Sequence, residues 1–151
     1  MEASIIARIT SETSSFKKIG VVADITALMH DGNAKTKLSL QNLPGVFLFY
    51  AGESAQSAKD RPGKWSQRST QRWGAMIVTR SRNDASGQRA KAEAYALNKE
   101  LSLALCGWTP DNAITALQKS RNAGSLKRWA KDLYFYAAYF EADERICTTG
   151  D

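Results

Sequence analysis

The chain has a single histidine, His30, beside Asp31. A His–Asp pair can orient a general base, but neighbouring residues of a strand or turn point their side chains apart. His30 therefore reads as a solvated turn residue. Cys106 and Cys147 are the only cysteines, too far apart for a Cys-x-x-Cys pair and too few for a disulfide framework. Zinc-type binding asks for three or four ligands at workable spacing, and these residues do not supply them. Cys106 ends an apolar helical run and is expected to be a buried, inert thiol. Cys147 lies in a polar tail with no base beside it. Glu141, Asp143 and Glu144 form the one cluster of acids. Paired carboxylates could serve glycoside hydrolysis, yet at a charged strand end they read more simply as a solvated edge. No Gly-x-Ser-x-Gly, P-loop or Gly-x-Gly-x-x-Gly is present. The sequence predicts no enzyme, no metal and no cofactor.

The charge is concentrated in one region. Between Arg61 and Lys91 lie eight basic residues (Arg61, Lys64, Arg68, Arg72, Arg80, Arg82, Arg89 and Lys91) and one acid, Asp84. That segment holds +7 of a chain whose net charge is +6, so the remainder is −1. Trp65 and Trp73 interleave with Lys64, Arg68 and Arg72, a combination able to hold phosphates and stack bases. The same residues suit an exposed, charged hairpin whose tryptophans anchor it to the core. They also suit an arm packed on acidic protein neighbours, where arginine's bidentate geometry is favoured. The residues alone leave all three open.

The elements that must position these groups follow from periodicity. Glu2 to Glu12 reads as a short helix with Ile5, Ile6 and Ile9 on one face, ended by Ser11, Thr13, Ser14 and Ser15, whose side chains compete for backbone bonds. Ile19 to Met29 fits a strand or a helix, and His30-Asp31-Gly32-Asn33 reads as a turn. Gly45 to Ala51 is a short apolar strand inside a sheet, entered at Pro44. A polar stretch from Gly52 leads to the turn signal Arg61-Pro62-Gly63, and two extended segments follow, Trp65 to Thr70 and Gln71 to Arg80. Asn83 to Gly87 opens a helix from Gln88 to Cys106, with a stripe of Ala90, Ala94, Leu97, Leu101, Ala104 and Leu105. Gly107 suits a left-handed helix end, and Pro110 prevents a restart. Ser125 to Trp129 and Leu133 to Glu141 read as a hairpin about Ala130-Lys131-Asp132.

In the last strand, Tyr134, Tyr136, Ala138 and Phe140 share one face, and Leu133, Phe135, Ala137 and Tyr139 the other. Apolar residues on both faces need cover on both sides, from the domain's own helices and from further core or a neighbouring subunit. The order of elements predicts an α+β fold, a largely antiparallel sheet with helices packed on one face, in a single domain. At 151 residues, 43% hydrophobic, the chain can bury a proper core. No stretch approaches the roughly 18 consecutive apolar residues of a membrane span. The start, Met1-Glu2-Ala3-Ser4, has an acid where a signal peptide wants a cation. A soluble protein made in a cytoplasm is expected.

From Pro44 to Ile146 the chain resembles the tail terminator (tail completion) proteins of long-tailed bacteriophages. The resemblance rests on the apolar strand after Pro44, Gln71-Arg72-Trp73 leading Gly74 to Thr79, and Asn83-Asp84 before the long helix. It continues through Ala104-Leu105-Cys106-Gly107-Trp108-Thr109-Pro110, its most specific piece, and Asp132 to Tyr136 leading to Phe140. Ala130-Lys131-Asp132 stands where an Asp-Gly type of turn would be expected. Residues 1–43 match as a helix and an uncertain strand, and 44–146 as the family-like core. The resemblance implies a six-membered ring in the virion neck that caps the tail tube, stops its elongation and joins the head connector. Its implied partners are copies of itself, the major tail tube protein, the head–tail connector or completion protein, and the genome end in the lumen, with no membrane. Assembly would take place in the host cytoplasm. Arg61, Lys64, Arg68, Arg72, Arg80 and Arg82 are the first choice for a subunit or tube contact, and Tyr134 and Tyr136 the second. Trp108, Gly107 and Pro110 are expected to be structural. Another head–tail joining protein and a basic nucleic-acid-binding module are the alternatives.

Overall fold

Apolar alternation and two long strands organise the computed structural model, which describes residues 1–23, 43–61, 64–82, 84–121, 124, 126–130 and 132–147. Helix α1 (Glu2–Glu12) buries Ile5 and Ile9, one turn apart, with Ile6 packed beside them. Thr13 ends it in extended backbone, and both its N–H and its hydroxyl donate to the Ile9 carbonyl. Strand β1 (Lys18–Val21) takes the first residues of the ambiguous Ile19 to Met29 stretch. The rest of that stretch from residue 24, and the turn expected at His30 to Asn33, lie outside the described residues.

Strands β2 (Gly45–Ala55), β3 (Lys59–Arg61) and β4 (Lys64–Arg80) come next. The two segments expected between Trp65 and Arg80 are one strand. Ser69-Thr70-Gln71 has the composition of a break, but Ser69 pairs with Ala55 and Glu144, and Gln71 with Glu53 and Ala142. Backbone pairing on both sides overrides the polar composition. Helix α2 (Gln88–Leu105) buries its whole predicted stripe, and Asn98 with it. Strands β5 (Gln118–Lys119), β6 (Lys127–Ala130) and β7 (Leu133–Cys147) complete the fold. β7 runs past Glu141 because β4 continues to pair it as far as Ser66↔Cys147.

The strand order is β1-β2-β4-β7-β5, with β3 on one end of β4 and β6 on one end of β7. Only β1 and β2 run parallel; the other described pairs are antiparallel. An irregularity between Tyr50 and Gly52, where Gly52 has φ 109°, shifts the β2 register. At 17 residues, β4 spans about 56 Å.

α1 and α2 cover one face of the sheet. There the rows Tyr50–Trp73–Phe140, Leu48–Ala75–Ala138 and Val46–Ile77–Tyr136 lie in register, under Ile5, Ile9, Leu97, Leu101 and Leu105. Each large aliphatic side chain fully buried here contributes about 1.5–3 kcal/mol. The fold is α+β, as the order of elements predicts.

The opposite face is apolar too. Leu43, Phe47 and Val78 are buried there with Met76, Leu133 and Phe135 against them. Phe49 stands directly across from Gly74 with its ring over the glycine, so that a Cβ at Gly74 would lie 2.1 Å from Phe49 Cζ. The Phe49 and Tyr139 rings meet edge to face, 6.0 Å between centroids.

Candidate functional site

The most specific sequence piece builds the turn that ends α2. Ala104 and Leu105 end α2 in the core, and Gly107 turns the chain with φ 84°, with no atom within 4 Å of where its Cβ would be. Its backbone and that of Trp108 bond to Leu117: Gly107 N–H donates to the Leu117 carbonyl at 3.0 Å, and Leu117 N–H to the Trp108 carbonyl at 2.8 Å. Trp108 packs against the core, and Pro110 is buried. From α1, Arg8 Nε donates to the Ala104 carbonyl at 3.1 Å and its guanidinium lies over the Trp108 ring. A cation is favourable at that helix end. Arg8 thus ties α1 to the end of α2, and Gly107 and Trp108 tie that end to Leu117, next to β5. Cys106, expected to be buried, is exposed. It follows the last helical turn, so the inward direction taken by Leu105 leaves the next side chain facing out. Cys147 is exposed as well.

The other end of α2 is fixed by Asp84. Its carboxylate accepts from the Ala90 N–H at 2.9 Å and from the Ser81 and Ser86 hydroxyls, while the Tyr134 hydroxyl donates to the Asp84 carbonyl at 2.9 Å. The Ala90 N–H above all, with the two hydroxyls, holds the Asp84 carboxyl below its ordinary range. Glu100 plays a similar part between the helices. Its carboxylate accepts from the Ser14 and Ser15 N–H groups, and bonds from Ser15 chiefly hold it low against the effect of burial.

The basic segment resolves into a strand-borne arm. Arg61 and Lys64 are backbone partners in the β3–β4 pairing. Arg68 and Arg72 lie further along β4, on the face away from the helices. Arg72 Nε donates to Glu141 Oε1 at 2.8 Å, directly across the pair, and Ser120 Oγ donates to the same oxygen. Arg68 pairs with Asp143, which also accepts from Thr70 Oγ1 at 2.6 Å. Burial pushes the Asp143 carboxyl up, but the Thr70 hydroxyl and the Arg68 guanidinium outweigh it and hold the group low. Glu141 and Asp143 are therefore not a solvated edge; they are the partners of the arm's arginines. Trp73 is buried, with Nε1 donating to Met1 Sδ, so it anchors the arm and presents no face for a base to stack on. Arg80 is half-buried at the end of β4, and its Nε has no partner among the described residues. Arg82 is exposed in the turn that follows.

Two further surfaces come from the helix side. A groove of about 1220 Å³ opens between α2 and the β6–β7 edge, lined by Ala92, Tyr95, Leu126, Tyr134 and Tyr136 among others. Tyr134 is buried at its floor, whereas Tyr136 is half-buried. At the far end of the same face, Tyr50, Glu53 and Glu144 sit beyond the helices. Burial first, then Glu53 and Glu144, push the Tyr50 hydroxyl up. Among the described residues no group of three His, Cys, Asp or Glu side chains forms a metal site, and no helix is long and apolar enough to cross a membrane.

A family described as phage tail terminator protein matches residues 2–149. The chain belongs to the phage tail terminator family. No curated protein sequence matches it. The family match extends the resemblance seen from Pro44 to Ile146 over the N-terminal helix and β1 as well. A tail terminator has a structural role in ending the phage tail and is a virion-associated protein. In this terminator the structure joins Arg68 and Arg72 to Glu141 and Asp143, and places Arg80 and Arg82 near the opposite end of β4. Arg8, Glu53 and the Phe49–Gly74 contact were missed by sequence reasoning. Arg8 carried a faint signal, a cation on the polar side of an amphipathic helix. The other two depend on strand register, which the sequence does not display.

Proposed function

We propose that this terminator closes into a homohexameric ring at the top of the tail tube, stops tube elongation and offers the joint to the head-side connector. The family match over nearly the whole chain carries the reading. The geometry supports it: one sheet, braced by two strands of 17 and 15 residues, is a stiff block suited to a ring, where function comes from shape. A heterologous ring closes when the rotation between neighbours is right. The tube is met by the basic arm, with Arg61 and Lys64 at its tip, and assembly proceeds in the host cytoplasm before the neck is complete. Major tail tube protein, connector and the genome end in the lumen are the neighbours. Light scattering and negative-stain images of the purified chain with tail tubes test this. Capped tubes of fixed length with a ring at one end are expected. Tubes of uncontrolled length despite added protein would overturn it, and rings that bind the connector but leave tubes growing would make the chain another head–tail joining protein.

A further inference from the structure

Among the described residues, the exposed large hydrophobic side chains are Tyr50 (49%), Tyr95 (72%), Leu103 (75%), Ile114 (44%) and Ile146 (45%). They fall into two unlike groups. Tyr95 and Leu103 belong to a second stripe on α2, Ala92, Tyr95, Ala96, Lys99 and Leu103, at spacings of three and four on the side away from the core stripe. That stripe borders the groove ending at Tyr136. The exposed charges of α2 are all positive: Arg89, Lys91 and Lys99 face solvent, while Glu93 and Glu100 are half-buried.

The second group is at the far end of the sheet. There the helix-side rows are Glu53–Gln71–Ala142 and Ala55–Ser69–Glu144. Ile146 extends β7 on the same face, and Ile114 is tied alongside by its N–H to the Asp143 carbonyl. The only charges in those two rows are the carboxylates of Glu53 and Glu144. From Tyr136 to Glu144 along β7 is about 27 Å, so the two groups are separate surfaces of one subunit.

We propose that neighbouring subunits join head-to-tail through these surfaces, the α2 stripe and groove of one copy receiving the Tyr50, Ile114 and Ile146 end of the next. This rests on the ring reading above. The occupant is a second copy because the chain carries both halves of a match, apolar on apolar and positive on negative. A two-fold contact centred on either surface would set it against itself, lysine on lysine or carboxylate on carboxylate, and like charges juxtaposed are costly. The head-to-tail contact brings opposite charges together, and it is the arrangement a ring requires.

Two full-length variants test it, Lys91→Glu with Lys99→Glu, and Glu53→Lys with Glu144→Lys. Subunit association is followed by sedimentation at low salt with tail tubes present, and folding by circular dichroism. Each variant alone should associate about tenfold or more weakly than wild type. Mixed together, they should recover association, because the reversed surface of one variant then meets the reversed surface of the other, and the two unaltered surfaces meet each other. Glu53 accepts bonds from Ser69 and Gln71, so Leu103→Glu serves as a second, single-site disruption if that variant unfolds. Wild-type rings with unweakened variants, or no recovery on mixing of folded variants, would overturn the assignment and leave the ring intact. Absence of any wild-type ring on tubes would overturn the ring reading and this one together.

Discussion

Gly74→Ala should destabilise this protein although a strand interior ordinarily prefers alanine. The new Cβ would lie 2.1 Å from Phe49 Cζ and 2.5 Å from both Cε atoms, where ordinary contact begins at 3.4 Å. The Phe49 ring must therefore move by more than an ångström. Doing so abandons the edge-to-face contact with Tyr139, worth about 0.5–1.5 kcal/mol. Re-exposing on the order of 50 Å² of ring would cost about 1.2 kcal/mol. The smaller conformational freedom of unfolded alanine returns about 0.4–1 kcal/mol. The net is a loss of about 1–2 kcal/mol, or a fall in Tm of about 2–8 °C for a chain of this size. Urea midpoints at unchanged m-value measure it. In a Phe49→Ala background the obstruction is gone, so the same substitution should be neutral or stabilising, a coupling of about 1–2.5 kcal/mol. Equal cost in both backgrounds, or no cost in either, would refute the contact as the cause.

Gly107→Ala meets no atom but keeps φ at 84°, so it should cost about 1–2 kcal/mol from backbone strain alone. Gly107→Asn should cost less, and a chemical melt compares the two. Asp84 has a carboxyl held low in the folded protein, so its contribution is present above the unfolded pKa and lost as pH falls through the folded one. The stability gap between wild type and Asp84→Asn should shrink as pH drops from about 5 to about 2, and a gap that stays constant across urea titrations would exclude the carboxylate's role. The Arg72–Glu141 pair is partly exposed, so a double-mutant cycle with Arg72→Met and Glu141→Gln should give about 0.5–1 kcal/mol, less in 1 M salt.

The helices were largely legible in the sequence because their stripes are local. Ile5 with Ile9, and Ala90 through Leu105, lie within a few turns, and Gly107 with Pro110 marks an end by backbone chemistry. The strands were legible as segments, and the two faces of Leu133 to Phe140 followed from alternation. Pairing was not. Glu141 and Asp143 look solvated until β4 is laid beside β7, and only then does Arg72 stand across from Glu141. The continuity of β4 was missed for the same reason, since Ser69 to Gln71 is held by its neighbours and not by propensity. Cys106 misled because an apolar local sequence hid a change of direction at the helix end.

β7 lies between β4 and the short β5 and β6, and its pairing runs from Arg80↔Leu133 to Ser66↔Cys147. Every rung of that ladder joins residues more than fifty positions apart, a long-range topology that slows folding. Of the seven described strands, the one that pairs with β4, β5 and β6 is also the last to be synthesised. A nascent subunit must therefore wait with the flank of β4 unpaired, a template for other chains. Synthesis rate and chaperone supply thus become levers on how much folded terminator a host cell yields.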